Sequence, residues 1–147
     1  MLYRAVQRVL IEMGEAACYA LGWSILAAEK GLPVSVVEDF LKWVDRKWVY
    51  YNWDNPEDSK NCYVENPGAI VSYYFGGIWL VTHEAADYIP KPGELAQARY
   101  ERIKTGAVLG HFVPLKPDGT ILRDPMGESA TVKYGTRVST RVARKIG

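Results

Sequence analysis

The sequence predicts an α+β protein in which N-terminal helices, one of them central and buried, pack on a C-terminal antiparallel sheet. In the first half, apolar residues recur at helical spacing or fill whole segments, whereas in the second half they alternate with polar residues. The helical signals stop at Gly76-Gly77. Helices followed by strands are typical of α+β folds, and a chain of 147 residues is expected to form one domain, residues 1–147.

Three helices are predicted in the first half. Residues 15–29 are rich in Ala, Leu and Ile and apolar on nearly every side, which indicates a buried central helix. Residues 34–47 carry apolar side chains at helical spacing, with Ser35 as a candidate N-cap. Asn66-Pro67 provides a cap and a proline at the first helical position, and predicts a third helix through Phe75.

Short strand-like segments fill the second half. They are predicted at residues 79–82, 98–104, 108–116, 120–124, 131–134 and 137–146. The last segment contains Arg137, Arg141, Arg144 and Lys145, which we interpret as a solvated strand face.

Charge and hydropathy exclude several classes of partner. The formal net charge is +1, so no global field favours nucleic acid or an anionic membrane. The longest weakly polar run, residues 16–28, is shorter than the roughly 20 residues that a membrane span needs, and no signal peptide is recognised. The sequence therefore predicts a soluble, cytoplasmic protein without a nucleic-acid or membrane partner and without a cofactor. Its oligomeric state is open.

A hairpin places His111 near Asp124. Asp118-Gly119 between two apolar runs is a strong turn signal. A two-residue turn there would pair Val113 with Asp124, so that His111 and Asp124 become diagonal neighbours on one face of the sheet. A bulge at Pro114 would shift this register by one residue. Because a His and an Asp on one strand face are more often a surface pair, the hairpin alone assigns no function.

Cys18 lies near the start of the predicted central helix. A helix N-terminus favours a thiolate over a thiol, and the thiolate is the nucleophile. A buried free cysteine is also a common core residue, so this segment alone leaves both interpretations open. Cys62 lies in a predicted loop with no helix start beside it.

Together these segments resemble the papain-like cysteine peptidase superfamily, and most closely its small bacterial branch of bacteriocin-leader-processing peptidase domains and their uncharacterised relatives. The matching segments are residues 17–21, 110–113, 118–119 and 124–125. They have the superfamily's order of Cys, His and Asp, and the resemblance spans residues 14–147. It implies a papain-like fold and a thiol-dependent hydrolase that cleaves an amide bond in a peptide or peptidoglycan-type substrate.

The resemblance also implies roles for individual residues. Cys18 would attack the carbonyl carbon, His111 would transfer the proton, and Asp124 would orient the imidazole. The Cys18 backbone N–H would be one oxyanion-hole donor. The second donor in the family is a glutamine, but the corresponding residue here is Glu12, whose ionised carboxylate cannot donate. A protonated Glu12, another donor, a slow enzyme, or a solvent-facing Glu12 with no role in the site all remain open.

Two alternatives compete with hydrolysis. A catalytically weak or inactive papain-like module would bind an extended peptide or glycan, and the aromatic segment with Trp48, Tyr50, Tyr51 and Trp53 would line a groove beside Cys18. Of these aromatics, Tyr51 and Trp53 are the candidate substrate-binding residues. The other alternative is a zinc site. Its candidate ligands are Cys18, Cys62, His83 and His111, but they lack paired short spacing, so no metal site is predicted.

Overall fold

Five α-helices and four β-strands make up the fold in a computed structural model, which describes residues 2–147. The helices are α1 (Leu2–Met13), α2 (Cys18–Glu29), α3 (Val36–Asp45), α4 (Pro67–Phe75) and α5 (Ala130–Tyr134). The strands are β1 (Trp79–Glu84), β2 (Leu95–Lys104), β3 (Ala107–Pro114) and β4 (Thr136–Lys145). A 3₁₀ turn at Glu15–Ala17 leads into α2. No helix in residues 2–147 is long and apolar enough to cross a bilayer.

The three predicted helices are confirmed, and α4 begins as predicted, because the Asn66 side chain accepts a hydrogen bond from the Ala69 N–H at 3.1 Å. Ser35 is the N-cap residue of α3, as predicted, but its side chain makes no capping bond. The Ser35 N–H instead donates to Asp39 Oδ2 at 3.0 Å. Helix α1, which buries one apolar face, was not predicted from the sequence.

The strands form one antiparallel sheet in the order β1-β4-β2-β3, so β1 and β3 are its edges. The predicted α+β class with an antiparallel sheet is therefore confirmed. Two predicted strands are wrong. Residues 131–134 belong to α5, because the Ser129 hydroxyl caps that helix by accepting from the Thr131 N–H at 3.2 Å. Residues 120–124 form only an isolated bridge between Ile121 and Leu115.

The hairpin loop after β3 is one residue longer than predicted. The Lys116 N–H donates to the Thr120 carbonyl at 2.7 Å, and the Gly119 N–H donates to the Lys116 carbonyl at 2.9 Å. Gly119 has a φ of 85°, as expected where a turn is followed by a left-handed residue in a three-residue loop. Leu115 therefore pairs with Ile121, and the predicted Val113–Asp124 pairing is wrong.

Helix α2 lies chiefly against the edge strand β3, also contacts β2, and is buried on nearly all sides, as predicted. Gly22 makes this approach possible, because a Cβ at this position would overlap the Gln97 side-chain amide. That buried amide donates through Nε2 to the Tyr19 carbonyl at 2.9 Å. The contact fixes the first turn of α2, and with it Cys18, relative to β2.

The arginines of β4 do not form a solvated face, which corrects the sequence interpretation: Arg137, Arg141 and Arg144 are all half-buried. Arg137 and Arg144 both hydrogen-bond to Tyr88, whereas Arg141 lies over the Phe112 ring. Arg144 lies three residues beyond Arg141 and so faces the opposite side by strand alternation, whereas Arg137 reaches the Arg144 side through an irregular register in β4, where Ser139 pairs with Arg99 but Arg137 pairs with Tyr100. A bulge of this kind turns side chains to the opposite face.

We predict that Gly22→Ala destabilises the protein although alanine favours helix formation by about 1 kcal/mol over glycine. Overpacking against Gln97 is expected to cost about 1–3 kcal/mol, measured as the free energy of unfolding in urea. In a Gln97→Ala background the cost should shrink or reverse, since the overlapping amide is gone. Stabilisation of the otherwise wild-type protein by Gly22→Ala would contradict the close approach of α2 to Gln97.

Candidate active site

Cys18 is the first residue of α2, and its side chain is buried against the edge strand β3. The backbone N–H of Phe112 donates to Cys18 Sγ at 3.5 Å. An edge strand leaves a row of N–H groups without a strand partner, and Phe112 supplies one of them to the sulfur. The sheet edge thus provides the sulfur with a fixed hydrogen-bond donor.

His111 and Asp124 form a buried pair in which the His111 Nε2 atom lies 2.7 Å from Asp124 Oδ1. Their side chains are only 4% and 8% exposed. The predicted contact between these side chains is confirmed, but its structural origin differs. Asp124 does not sit on a paired strand; it lies in the loop between the hairpin and α5.

Backbone hydrogen bonds hold the Asp124 carboxylate in place. Oδ1 accepts from the Met126 N–H and Oδ2 from the Ser129 N–H, each at 2.9 Å. Burial works to raise the pKa of Asp124, but the hydrogen bonds from His111, Ser129 and Met126 outweigh it and lower the pKa below its ordinary value. The carboxylate is therefore charged at neutral pH and faces the imidazole.

The pKa of His111 is raised to about 9. Burial acts in the opposite direction, but interactions with Asp124 and with Cys18 outweigh it. Because Nε2 bonds to Asp124, Nδ1 is the ring nitrogen that remains for another partner. Cys18 Sγ bonds to the N–H of Phe112, the residue that follows His111, so the sulfur lies beside the segment of β3 that carries the imidazole. The imidazole is positively charged at neutral pH.

A cleft opens beside Cys18 between the start of α2, the loop of residues 59–65 and the sheet. The side chains that give this cleft its chemistry are Tyr19, Cys62, His83, Arg99, Phe112 and Arg141. The Tyr19 and Phe112 rings contact each other, with their centroids 4.3 Å apart. The cleft thus combines two thiols, aromatic rings and two guanidinium groups.

Neither oxyanion donor implied by the family resemblance occupies that role in the structure. Glu12 lies on the exposed side of α1, paired with Arg8 at 3.0 Å, and does not line the cleft. The Cys18 backbone N–H donates to the Glu15 carbonyl in the 3₁₀ turn. Glu12 points to solvent because α1 buries its opposite face. The Cys18 N–H already donates a hydrogen bond within the 3₁₀ turn.

Tyr51 and Trp53, the candidate substrate-binding aromatics, line a different groove. Their rings are 4.7 Å apart, and they face Leu41 and Val44 of α3 rather than Cys18. Trp48 packs against Tyr73. Within residues 2–147, none of the predicted aromatics lines the cleft at Cys18, so the expected aromatic groove beside the sulfur is not formed.

Cys62 lies in the same cleft as Cys18, which the sequence did not indicate. Its buried thiol donates to the Met13 carbonyl at 3.4 Å. Burial, followed by the nearby Cys18, raises the pKa of Cys62 to about 12, so this thiol stays protonated at neutral pH. Cys62 is therefore not a nucleophile at neutral pH, although it lines the same cleft as Cys18.

The hypothetical zinc ligands do not assemble. In the part of the chain that the structure describes, no three His, Cys, Asp or Glu side chains are grouped so that they could hold a metal ion. His83 is exposed on β1, and Cys62 is committed to the Met13 carbonyl.

Comparisons with models of protein families, with curated proteins and with solved structures find no match to this chain. Function must therefore be inferred from the geometry of the site. That geometry includes three groups that no side-chain motif signals, namely the backbone N–H groups of Phe112, Met126 and Ser129. Which backbone N–H groups act as donors in the site can be identified only from the folded structure.

We predict that the free energy of unfolding falls by roughly 3 kcal/mol between pH 6 and pH 9.5 because of His111. A histidine with a raised pKa stabilises the fold fully below its ordinary pKa, and this stabilisation is lost as the pH rises through about 9. Urea unfolding at several pH values measures the fall. Asp124→Asn should flatten it, whereas exposed Asp54→Asn should retain it. An equal fall in wild type and Asp124→Asn would contradict the ion pair.

Proposed function

We propose that this chain is a cysteine hydrolase that cleaves an amide bond through a thioester acyl-enzyme. Cys18 is the nucleophile, His111 is the general acid and base, and Asp124 positions the imidazole. The observation that carries this proposal is the buried His111–Asp124 pair beside Cys18, whose Sγ accepts from the N–H of Phe112, the residue next to His111. A nucleophile, its base and a group that orients the base are the recurring components of such sites.

We also propose that the fold is papain-like. The support is a buried central helix that begins with the cysteine and packs on an antiparallel sheet, with the histidine on that sheet. The chain order of Cys18, His111 and Asp124 agrees with the resemblance in the sequence.

The reaction follows from the charges of the three groups. A positive imidazole beside a thiol favours the thiolate, and the Phe112 N–H adds a hydrogen bond to the sulfur. The thiolate forms a bond to the carbonyl carbon, the C–N bond breaks, and His111 donates its Nδ1 proton to the departing amine. Water then attacks the thioester carbonyl while His111 takes its proton, the C–S bond breaks, and the carboxylic acid is released with the thiolate–imidazolium pair restored.

The oxyanion in this reaction lacks both of the donors that the family resemblance implies. Removing a single oxyanion donor typically costs about 10²–10³ in rate, so we expect slow turnover. The same observation favours the second candidate function, a catalytically weak or inactive papain-like module that binds a peptide or glycan. The two candidates differ in one property, since only a hydrolase requires a reactive sulfur at position 18.

We predict that iodoacetamide modifies Cys18 rapidly at pH 6–7 and leaves Cys62 unmodified, as followed by peptide mass spectrometry under native conditions. Cys62 is a control inside the same cleft, since its pKa of about 12 keeps it protonated. His111→Ala should slow modification of Cys18 at least tenfold at pH 6.5, because the positive partner is lost. His83→Ala, which removes the exposed histidine of β1, should have little effect. Equal rates of Cys18 modification in wild type and His111→Ala would contradict the proposed pairing of Cys18 with His111.

A further inference from the structure

Two arginines flank Phe112 on the floor of the cleft at Cys18. Arg99 of β2 is paired with Phe112 of β3, and Arg141 reaches the same ring from β4. Each guanidinium carbon lies 5.3 Å from the ring centroid. Gly110 allows this arrangement, because a Cβ there would overlap the Arg99 guanidinium. The Phe112 ring contacts both guanidinium groups, and Gly110 leaves room for one of them. Two cations therefore line the cleft that contains Cys18.

The positive charge of this pair is only partly balanced. Arg99 is bonded to Glu101 at 2.9 Å. The Arg141 guanidinium donates to the Ser139 hydroxyl at 2.7 Å, and within residues 2–147 it has no carboxylate at ion-pair distance. By contrast, Arg144 of the same strand is paired with both Glu84 and Glu94.

Neighbouring groups respond to the unbalanced charge. Burial and the Arg99 charge lower the pKa of Arg141, while Tyr19 and the Glu101 carboxylate act to raise it; the guanidinium remains charged at any physiological pH. Burial, and then Arg141, also lower the pKa of His83. His83 is therefore neutral at pH 7 and adds no charge, so Arg141 is a half-buried cation of the cleft without an ion-pair partner.

We propose that Arg141, assisted by Arg99, binds a carboxylate of the substrate close to the scissile amide. This inference rests on the proposed hydrolase function and names its substrate class, an amide that bears an acidic group. Guanidinium groups present planar pairs of donors that match a carboxylate. In an amide substrate of the peptide type, that carboxylate is an acidic side chain or a free C-terminus. A half-buried cation without an ion-pair partner gains a partner when such a substrate binds.

The test compares two alkylating probes that differ in charge, iodoacetate and iodoacetamide. Their rate ratio at Cys18 is normalised to the ratio for N-acetylcysteine amide, an uncharged free thiol. We expect Arg141→Gln to lower the normalised ratio at least threefold, with the iodoacetamide rate unchanged within twofold. Arg141→Lys should retain most of the ratio, and Arg4→Gln, an exposed arginine of α1, should retain all of it. Added NaCl should reduce the wild-type ratio.

The outcomes separate this inference from the proposed function. Rapid iodoacetamide modification with the same ratio in wild type and Arg141→Gln overturns the carboxylate site and leaves the hydrolase intact. Resistance of Cys18 to iodoacetamide overturns the hydrolase, and a second measurement then tests the carboxylate site. That measurement is an NMR titration with N-acetylglutamate amide or N-acetylglutamine amide, followed at the Gly110 and Phe112 amides. Shifts induced by the glutamate compound only, and lost in Arg141→Gln, support the site; equal responses to the two compounds overturn it.

Discussion

The close approach of α2 to the sheet is the constraint on which the rest of the site depends. Gly22 leaves room for the Gln97 amide, and that amide bonds the Tyr19 carbonyl one residue beyond Cys18. The helix is therefore anchored by its first turn, where Cys18 lies. Because β3 is the edge strand, its free Phe112 N–H reaches the sulfur, and a site of this kind needs no loop to position the cysteine.

A second constraint acts from the other side of the edge strand. The Asp124 carboxylate gathers three donors, one from His111 and two from its own loop. The loop that contains Asp124 therefore folds around the Asp124 carboxylate, and this carboxylate fixes the orientation of the His111 imidazole. Buried ionic groups contribute less to stability than their attraction suggests, because their desolvation is costly. Under the proposed function their arrangement serves the chemistry, since the imidazole would transfer protons while the carboxylate holds its orientation.

The sequence predicted the elements better than their side-chain environments. Helix α2 was predictable because its own side chains are apolar on nearly every side. Helix α4 was predictable because Asn66 and Pro67 form a local cap. Contact between His111 and Asp124 was predicted through a register that the structure does not contain. It survives because Asp124 reaches the imidazole from a loop, a route that strand alternation cannot describe. Residues 131–134 have a β-branched pattern, yet the Ser129 cap makes them helical. The role of Arg141 was missed because it depends on the strand order, which brings Arg141 of β4 to Phe112 of β3 across β2.

The central claim is that Cys18 performs amide cleavage, and a turnover assay with matched cysteine variants tests it most directly. The wild type, Cys18→Ala and Cys62→Ala would each be incubated with a library of fluorogenic peptide amides and with peptidoglycan fragments, and the released amine measured. The account predicts slow cleavage by the wild type and by Cys62→Ala, and none by Cys18→Ala. Cleavage retained in Cys18→Ala, or no cleavage of any substrate by the wild type, would contradict it.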